Sequence, residues 1–313
     1  MNFIQSISVV VPTKACVNNC KFCVSRMHDN PYEKKFDEIA YRKRIKRASI
    51  EHVSTMIITG TGEALQNIPF LRKLRIVLDK EGHPFPNVEL QTSGVMLMKS
   101  ELVINSFNKE EYTTYPNVEI LKELGVNTIS LSVSDIFNGK NNWDIIGAPA
   151  SLRVELDELC EFIKQQGFNL RLSLNMTSAY DTISPEDILA QCKLLGADQV
   201  TFRKLYGGGL DNPESKWVDA NACGDHIIDQ IDSYIGGNWD GDGFGNEWRN
   251  DGEGKAGYKL PFGAWVFSIN GMSVAIDNDC MSKEKPTETL KYVILRENGK
   301  LYWAWDDEGS LIF

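Results

Sequence analysis

Six short runs rich in β-branched and apolar residues recur through the first two thirds of the chain, each followed by a helix-like stretch. This alternation limits the fold more than any other feature. The runs are Ser6–Val11, Thr55–Thr59, Val88–Thr92, Thr128–Val133, Leu170–Asn175 and Gln199–Arg203. Helical patterns lie between them. One is Ile68–Asp79; another is Leu152–Gln166, with Leu152, Leu156, Leu159, Cys160 and Ile163 on one face. The clearest opens at Ser184-Pro185-Glu186-Asp187, where an N-cap is followed by proline at the first helical position and acids in the first turn. It stops at Gly196, a helix-ending residue. Strands alternating with helices mean βαβ units and a parallel sheet. Six in a row predict an α/β fold, a full or partial (β/α)6 barrel, with a doubly wound sheet as the other topology the pattern allows.

The pattern changes after Tyr206. Gly207-Gly208-Gly209 reads as a break, and 236–257 is rich in Gly, Asp and Asn and reads as a long loop. Two hairpins follow. Ala264–Ile269 and Met272–Ile276 flank Asn270-Gly271, and Tyr292–Arg296 and Leu301–Trp305 flank Asn298-Gly299, both with the signal for a type I′ turn. The expected organisation is a barrel over residues 1–206 and a small antiparallel β-rich C-terminal unit over 207–313.

Composition excludes several classes. With 313 residues, 42% hydrophobic and 24% charged, the chain can bury a core without disulfides. Its net charge of -10 gives nucleic-acid binding no general help. No apolar run is long enough to span a bilayer, and Met1–Pro12 lacks the features of a signal peptide, so no membrane partner and a cytoplasmic location are expected. In that setting the seven cysteines read as metal-binding, catalytic or buried groups.

Three of them, Cys16, Cys20 and Cys23, sit in Cys16-Val17-Asn18-Asn19-Cys20-Lys21-Phe22-Cys23, directly after the first strand. That is the end of a βα barrel where chemistry is placed. Three thiolates suit a [4Fe–4S] cluster with one open iron. A zinc site completed by a distant cysteine or by His28 is the other reading of the spacing. Cys192, Cys223 and Cys280 read as buried apolar thiols.

Here the sequence resembles the radical S-adenosylmethionine (SAM) enzymes. Their signature is Cys-x3-Cys-x2-Cys after the first strand, with an aromatic before the last cysteine, matched by Phe22. Gly60-Thr61-Gly62-Glu63 resembles the family's Gly-Gly-Glu motif, with Thr61 in place of its first glycine. Gln91-Thr92-Ser93-Gly94 resembles the ending of the third strand, Ile129–Asp135 the fourth-strand motif with Ser132 where its first Asp stands, Leu172–Asn175 the fifth strand and Gly196–Arg203 the sixth. The likeness runs in order from about Ser6 to Tyr206 and is nearest to the branch holding the molybdopterin-precursor cyclase and viperin, without the cyclase's second cysteine triad or terminal Gly-Gly.

The resemblance implies a radical SAM enzyme with one [4Fe–4S] cluster on Cys16, Cys20 and Cys23. It implies SAM held by Phe22, Gly62, Glu63, Thr92, Ser130 and Asn175, with Glu63 meeting the amino group. It also implies a flavodoxin- or ferredoxin-like electron donor and hydrogen abstraction from a substrate. No winged-helix pattern precedes Cys16 and the N-terminus is too short for a cobalamin domain, so a small molecule or nucleotide is expected rather than a peptide. Cys223, Cys280 and Tyr206 are candidates for quenching a product radical. A protein that binds zinc or a cluster without catalysis is the reading from another class.

Three further features have plainer readings. Lys34, Lys35, Arg42, Lys43, Arg44, Lys46 and Arg47 form a basic stretch with Phe36, Ile39, Ala40 and Ile45 as its apolar side, expected to be a solvated helix face or else a dock for an acidic electron donor or a phosphorylated or polyanionic substrate. Asp240–Asn246 has the look of a calcium loop but carries Phe244 and Asp251 at ligand positions, so a glycine-rich lid suits it better. Trp239, Trp248, Trp265, Trp303 and Trp305 crowd the C-terminal part, with Trp303 and Trp305 expected on one face of a strand as part of a hairpin core.

Overall fold

The computed structural model describes residues 3–28, 36–104, 112–236, 248–250, 256–260, 265–277, 289–305 and 310–312. In chain order its elements begin β1 (Phe3–Val11), α1 (Val24–Met27), α2 (Glu38–Ile50), β2 (Thr55–Gly60), α3 (Ile68–Glu81) and β3 (Asn87–Thr92). Then come β4 (Ser100–Ile104), β5 (Tyr112–Pro116), α4 (Asn117–Glu123), β6 (Thr128–Val133), α5 (Gly139–Ile146), α6 (Leu156–Gln165), β7 (Asn169–Met176), α7 (Pro185–Leu194) and β8 (Gln199–Lys204). The last are α8 (Pro213–Asn221), α9 (Asp225–Gly236), β9 (Trp248–Asn250), β10 (Ala256–Lys259), β11 (Trp265–Ile269), β12 (Met272–Asp277), β13 (Thr289–Leu295) and β14 (Leu301–Tyr302).

The six expected strands are β1, β2, β3, β6, β7 and β8, all parallel and adjacent in that order. Their two faces differ in chemistry. Ile7, Val9, Met56, Ile58, Val88, Leu90, Ile129, Leu131, Leu172 and Leu174 are buried in the main core. The alternate residues Ser8, Gln91, Ser130, Ser132, Ser173 and Thr201 line cavities instead. Parallel strands covered on both sides are usually near-continuously apolar, and closed barrels fill their interior with bulky side chains. Small polar residues on this inner face leave room for a ligand.

The helices close the outer layer. On α3, Ile68, Phe70, Leu71, Leu74, Val77 and Leu78 are buried, and removing each from water contributes about 2 kcal/mol. Asn67 starts this helix by accepting from Phe70 N at 3.1 Å, while its Nδ2 donates to Pro12 O at 2.6 Å, tying the helix to the end of β1. On α6, Leu156, Leu159, Cys160 and Ile163 are buried as the spacing predicts, whereas Leu152 lies in a short 3-10 turn before the helix. Ser184 caps α7, accepting from Asp187 N at 3.1 Å.

Both C-terminal hairpins form. Asn270 and Gly271 take positive φ values of 52° and 76° between β11 and β12, the conformation a type I′ turn requires. The second joins β13 to β14, but there only Gly299 (φ 74°) and not Asn298 has a positive φ, so the expected type I′ turn does not form. Where they dock is not a local property: β12 runs parallel beside β8, and β13 runs parallel beside β1. One strand of each hairpin therefore extends one edge of the barrel wall. Asp277 on β12 and Lys291 on β13 meet across the remaining gap at 3.0 Å.

Several expectations need correcting. Within the stretch expected to be loop, β9 and β10 pair antiparallel. Trp303 and Trp305 do not share a strand, because β14 ends at Tyr302; Tyr302 joins Val10 and Ile294 in a small separate core, with Trp305 packed against it. On α2 the buried residues are Tyr41, Ile45 and Ala48, and Ile39 faces solvent at 70% exposure. Its cations are partly tied up, Arg42 with Glu81 at 2.7 Å and Arg47 with Glu51. Lys34, Lys35, Trp239, Asp240–Asn246, Asp251 and Cys280 lie outside the described residues. No helix among the described residues is long and apolar enough to cross a membrane.

Candidate cofactor site at the barrel mouth

The segment from Pro12 to Cys23 leaves the C-terminal end of β1 and is fastened on three sides. Asn19 N donates to Gly147 O at 3.1 Å and Lys21 N to Ile145 O at 3.0 Å, which anchors it to the end of α5. Gly147 has φ +65°, and a Cβ there would stand 2.4 Å from Asn19 O, so both the turn and the close approach require glycine. Gln66 accepts from Val17 N at 2.7 Å and donates to Ala15 O at 3.3 Å. Arg26 donates to Asn19 and to Cys20 O, and pairs with Glu214 on α8 at 3.0 Å.

Glu63, immediately after β2, is 4% exposed. Its Oε1 accepts from Thr92 Oγ1 at 2.7 Å; its Oε2 accepts from Ser93 Oγ at 2.7 Å and Ser93 N at 3.1 Å. The chain runs so close to the cysteine loop that a Cβ on Gly62 would sit 2.9 Å from Cys16 Cβ. Glu63 N donates to Cys16 Sγ at 3.3 Å. Asn18 completes the link, its Nδ2 donating to Ser93 Oγ at 2.8 Å. Cysteine loop, Glu63 and the end of β3 thus form one hydrogen-bonded unit.

A cavity of about 230 Å³ is lined by Cys16, Cys20, Cys23, Phe22, Gly62, Glu63, Thr92 and Ser130, which the sequence singles out. Asn175 stands one row behind, its Nδ2 donating to Ser132 Oγ at 2.9 Å and Ser134 Oγ at 3.2 Å, so it orients Ser132. Asn18, Ser93, Ser132, Ser173 and Arg203, which stand inside the sequence motifs but were given no site role from the sequence, also line the cavity. Two buried acceptors are left over in this lining: Asn18 Oδ1 and Ser173 Oγ have no hydrogen-bond partner among the described residues.

Burial pushes the Cys16 thiol up, reinforced by Glu63 and Cys23 and opposed by the backbone N–H groups of Asn18 and Glu63. Burial also pushes Cys20 up, with Cys23 and Cys16 adding to it and Arg26 opposing. Thiols that raise one another are neighbours, and a bound cation would reverse the shift by displacing their protons. Among the described residues no three His, Cys, Asp or Glu side chains are placed to hold a single metal ion. The donor set, three thiols on one loop facing a cavity, fits a larger sulfur-rich cluster with one corner open.

A second cavity of about 240 Å³ shares Val24, Ser25, Thr59, Gly60, Gln91 and Arg203 with the first and reaches Asp277, Lys291, Tyr292 and Trp305. A third, of about 360 Å³, lies in the barrel interior, where Glu89 pairs with Arg171 and Arg171 Nε donates to Gln199 at 2.7 Å. Tyr206 lies with its ring 6.0 Å from that of His28, which lines the second cavity. Cys192 is fully buried; Cys223 is half-buried at the edge of the core.

The model of the Radical SAM superfamily matches residues 10–177, more than half of the chain. No curated protein matches the chain in sequence. Among solved structures, Streptococcus suis SuiB bound to precursor peptide SuiA aligns with TM-score 0.55 at 13% identity, covering 97% of this chain and 60% of that one. SuiB bound to S-adenosylmethionine aligns with TM-score 0.56 at 13% identity and the same coverage. Coproporphyrinogen III oxidase HemN from Escherichia coli, a radical SAM enzyme, aligns with TM-score 0.46 at 12% identity, covering 88% of this chain and 63% of that one. The chain spans about 60% of the length of SuiB.

Proposed function

The chain belongs to the radical SAM superfamily of enzymes, and from that premise we propose that it cleaves S-adenosylmethionine reductively and abstracts hydrogen from a small organic substrate. The observation that carries this is the meeting of Cys16, Cys20 and Cys23 with Glu63 in one cavity at the C-terminal end of parallel strands. Cys16, Cys20 and Cys23 would hold a [4Fe–4S] cluster, which would supply one electron and an open iron for the methionine end of SAM, the chemistry that converts SAM to methionine and a 5′-deoxyadenosyl radical.

The chain's own groups do the positioning. Glu63, held by Thr92 and Ser93, offers a fixed carboxylate to a ligand ammonium group. Gly62 allows that carboxylate to lie against the cysteine loop. Asn18 Oδ1 and Ser173 Oγ offer further acceptors to bound SAM. Ser130 and Ser132 line the cavity beside them. Because these contacts are preorganised by the fold, little ordering cost remains when SAM binds. The reaction needs an external one-electron donor, for which a flavodoxin- or ferredoxin-like protein is the proposed partner. The strands after Tyr206 add Asp277, Lys291 and Tyr292 to the second cavity and, on this reading, help choose the substrate.

The test is anaerobic reconstitution with iron and sulfide, followed by SAM and dithionite, with 5′-deoxyadenosine measured. The reading expects 5′-deoxyadenosine from the unaltered protein and none from Cys20→Ala. A protein that takes up zinc alone, or iron without any SAM cleavage, contradicts it.

A further inference from the structure

Among the described residues, five charged side chains on the strands around the barrel interior line its cavities: Glu89, Arg171, Arg203, Asp277 and Lys291. Charges taken out of water cost free energy unless they are paired or used. Glu89 and Arg171 pair with each other across the barrel interior. The other three sit where the wall is incomplete. Arg203 and Asp277 are register partners on β8 and β12, and Lys291 comes from β13 at the opposite edge. Asp277 lies between the cations, 3.6 Å from Arg203 Nε and 3.0 Å from Lys291 Nζ.

All three keep contact with solvent, at 28%, 16% and 36% side-chain exposure for Arg203, Asp277 and Lys291. They line the second cavity, whose other walls include Ile57, Tyr292 and Trp305. Arg203 lines the cysteine-lined cavity as well. Two cations drawn together from opposite edges of a barrel, beside an apolar and aromatic wall, match a ligand with an anionic head and an apolar body.

We propose that Arg203 and Lys291 bind an anionic group of the substrate, a carboxylate or a phosphate, in competition with the Asp277 carboxylate that otherwise neutralises them. The anchored group lies at the seam, and the rest of the molecule extends toward the cysteine-lined cavity. The assignment of this ligand as the substrate rests on the radical reading; the anion site itself does not.

The experiment uses the full chain with its iron–sulfur centre reconstituted and three probes: 3-phenylpropionate, phenyl phosphate and the neutral 3-phenylpropanamide. Binding is followed by ligand-observed NMR. At least one anion is expected to bind about tenfold more tightly than the amide, a difference typical of one charge-assisted contact, and the tighter anion identifies the source. Lys291→Met is expected to remove that preference. Asp277→Asn is expected to strengthen anion binding, because a competing carboxylate is lost; a purely structural ion network would instead be weakened by both changes. Equal binding of anions and amide, no binding by either anion, or parallel weakening in both variants overturns the proposal. Formation of 5′-deoxyadenosine by the unaltered enzyme decides the radical reading separately. Anion preference without SAM cleavage sinks that reading alone, and SAM cleavage without anion preference sinks the anion site alone.

Discussion

The two sides of the barrel mouth hold their polar groups in different ways. On the cysteine side, short side chains and backbone amides do the work: Glu63 is fixed by Thr92 and Ser93, and the loop hangs from Gly147 and Gln66. On the seam side, long side chains reach across a gap between strands that are not paired, as Lys291 does to Asp277. Short, backbone-anchored contacts suit a ligand that never changes. Long charged side chains pay more side-chain entropy and adapt more readily. On the reading proposed above, the difference separates a cysteine side that holds one cofactor and its partner from a seam that takes the substrate.

The comparison is broken most severely at Gly147. Alanine there must take φ +65° and meet Asn19 O at 2.4 Å, so Gly147→Ala should cost about 2–3 kcal/mol and displace the cysteine loop. Iron retained per chain after reconstitution and desalting should fall sharply, while probe binding at the seam persists.

Alkaline pH tests the outer layer instead of the mouth. Burial pushes both the Cys160 and Cys192 thiols from 9.0 up to about 12. Their neutral forms are favoured in the fold, so this stability is complete below pH 9.0 and is lost as pH rises from there toward about 12. The loss runs at up to about 1.4 kcal/mol per pH unit for each thiol. Urea unfolding midpoints should drop over that range, and Cys160→Ala with Cys192→Ala should flatten the slope.

Removing one support of Glu63 is gentler. Ser93→Ala deletes the hydroxyl that donates to Glu63 and accepts from Asn18. At about 1 kcal/mol for each hydrogen bond, SAM affinity measured calorimetrically should weaken by about five- to thirtyfold with iron content unchanged. The smallest effect belongs to Ser184→Ala at the start of α7, where the lost cap costs about 1 kcal/mol of stability. SAM and probe binding should both be untouched, since this residue serves the scaffold alone.

Much of the wall was legible because its signals are local. All six strands fall within a few residues of their β-branched runs, and Ser184-Pro185 marks the start of α7 by its own chemistry. Cys16, Cys20, Cys23, Phe22, Gly62, Glu63 and Thr92 meet at one cavity because each lies on the cysteine loop or at the mouth end of one of these parallel strands, and Ser130 reaches it from the inner face of β6. The rest was hidden for one reason. Asn270-Gly271 announces a hairpin but not that β12 will lie beside β8, and nothing near Lys291 says that Asp277 will face it. Contacts between distant segments depend on docking, which leaves no periodic trace. The β4–β5 hairpin and helices α8 and α9 were missed as well, the first because Ser100–Pro116 has no strong turn dipeptide, the others because they follow a glycine run.

The account stands on a cluster held by three thiols with one iron open beside Glu63. The most direct test is the low-temperature EPR spectrum of the dithionite-reduced, reconstituted protein before and after addition of SAM. A reduced [4Fe–4S] signal that changes shape when SAM is added is the predicted result. A signal indifferent to SAM, or a reconstituted protein with no such signal, would contradict it.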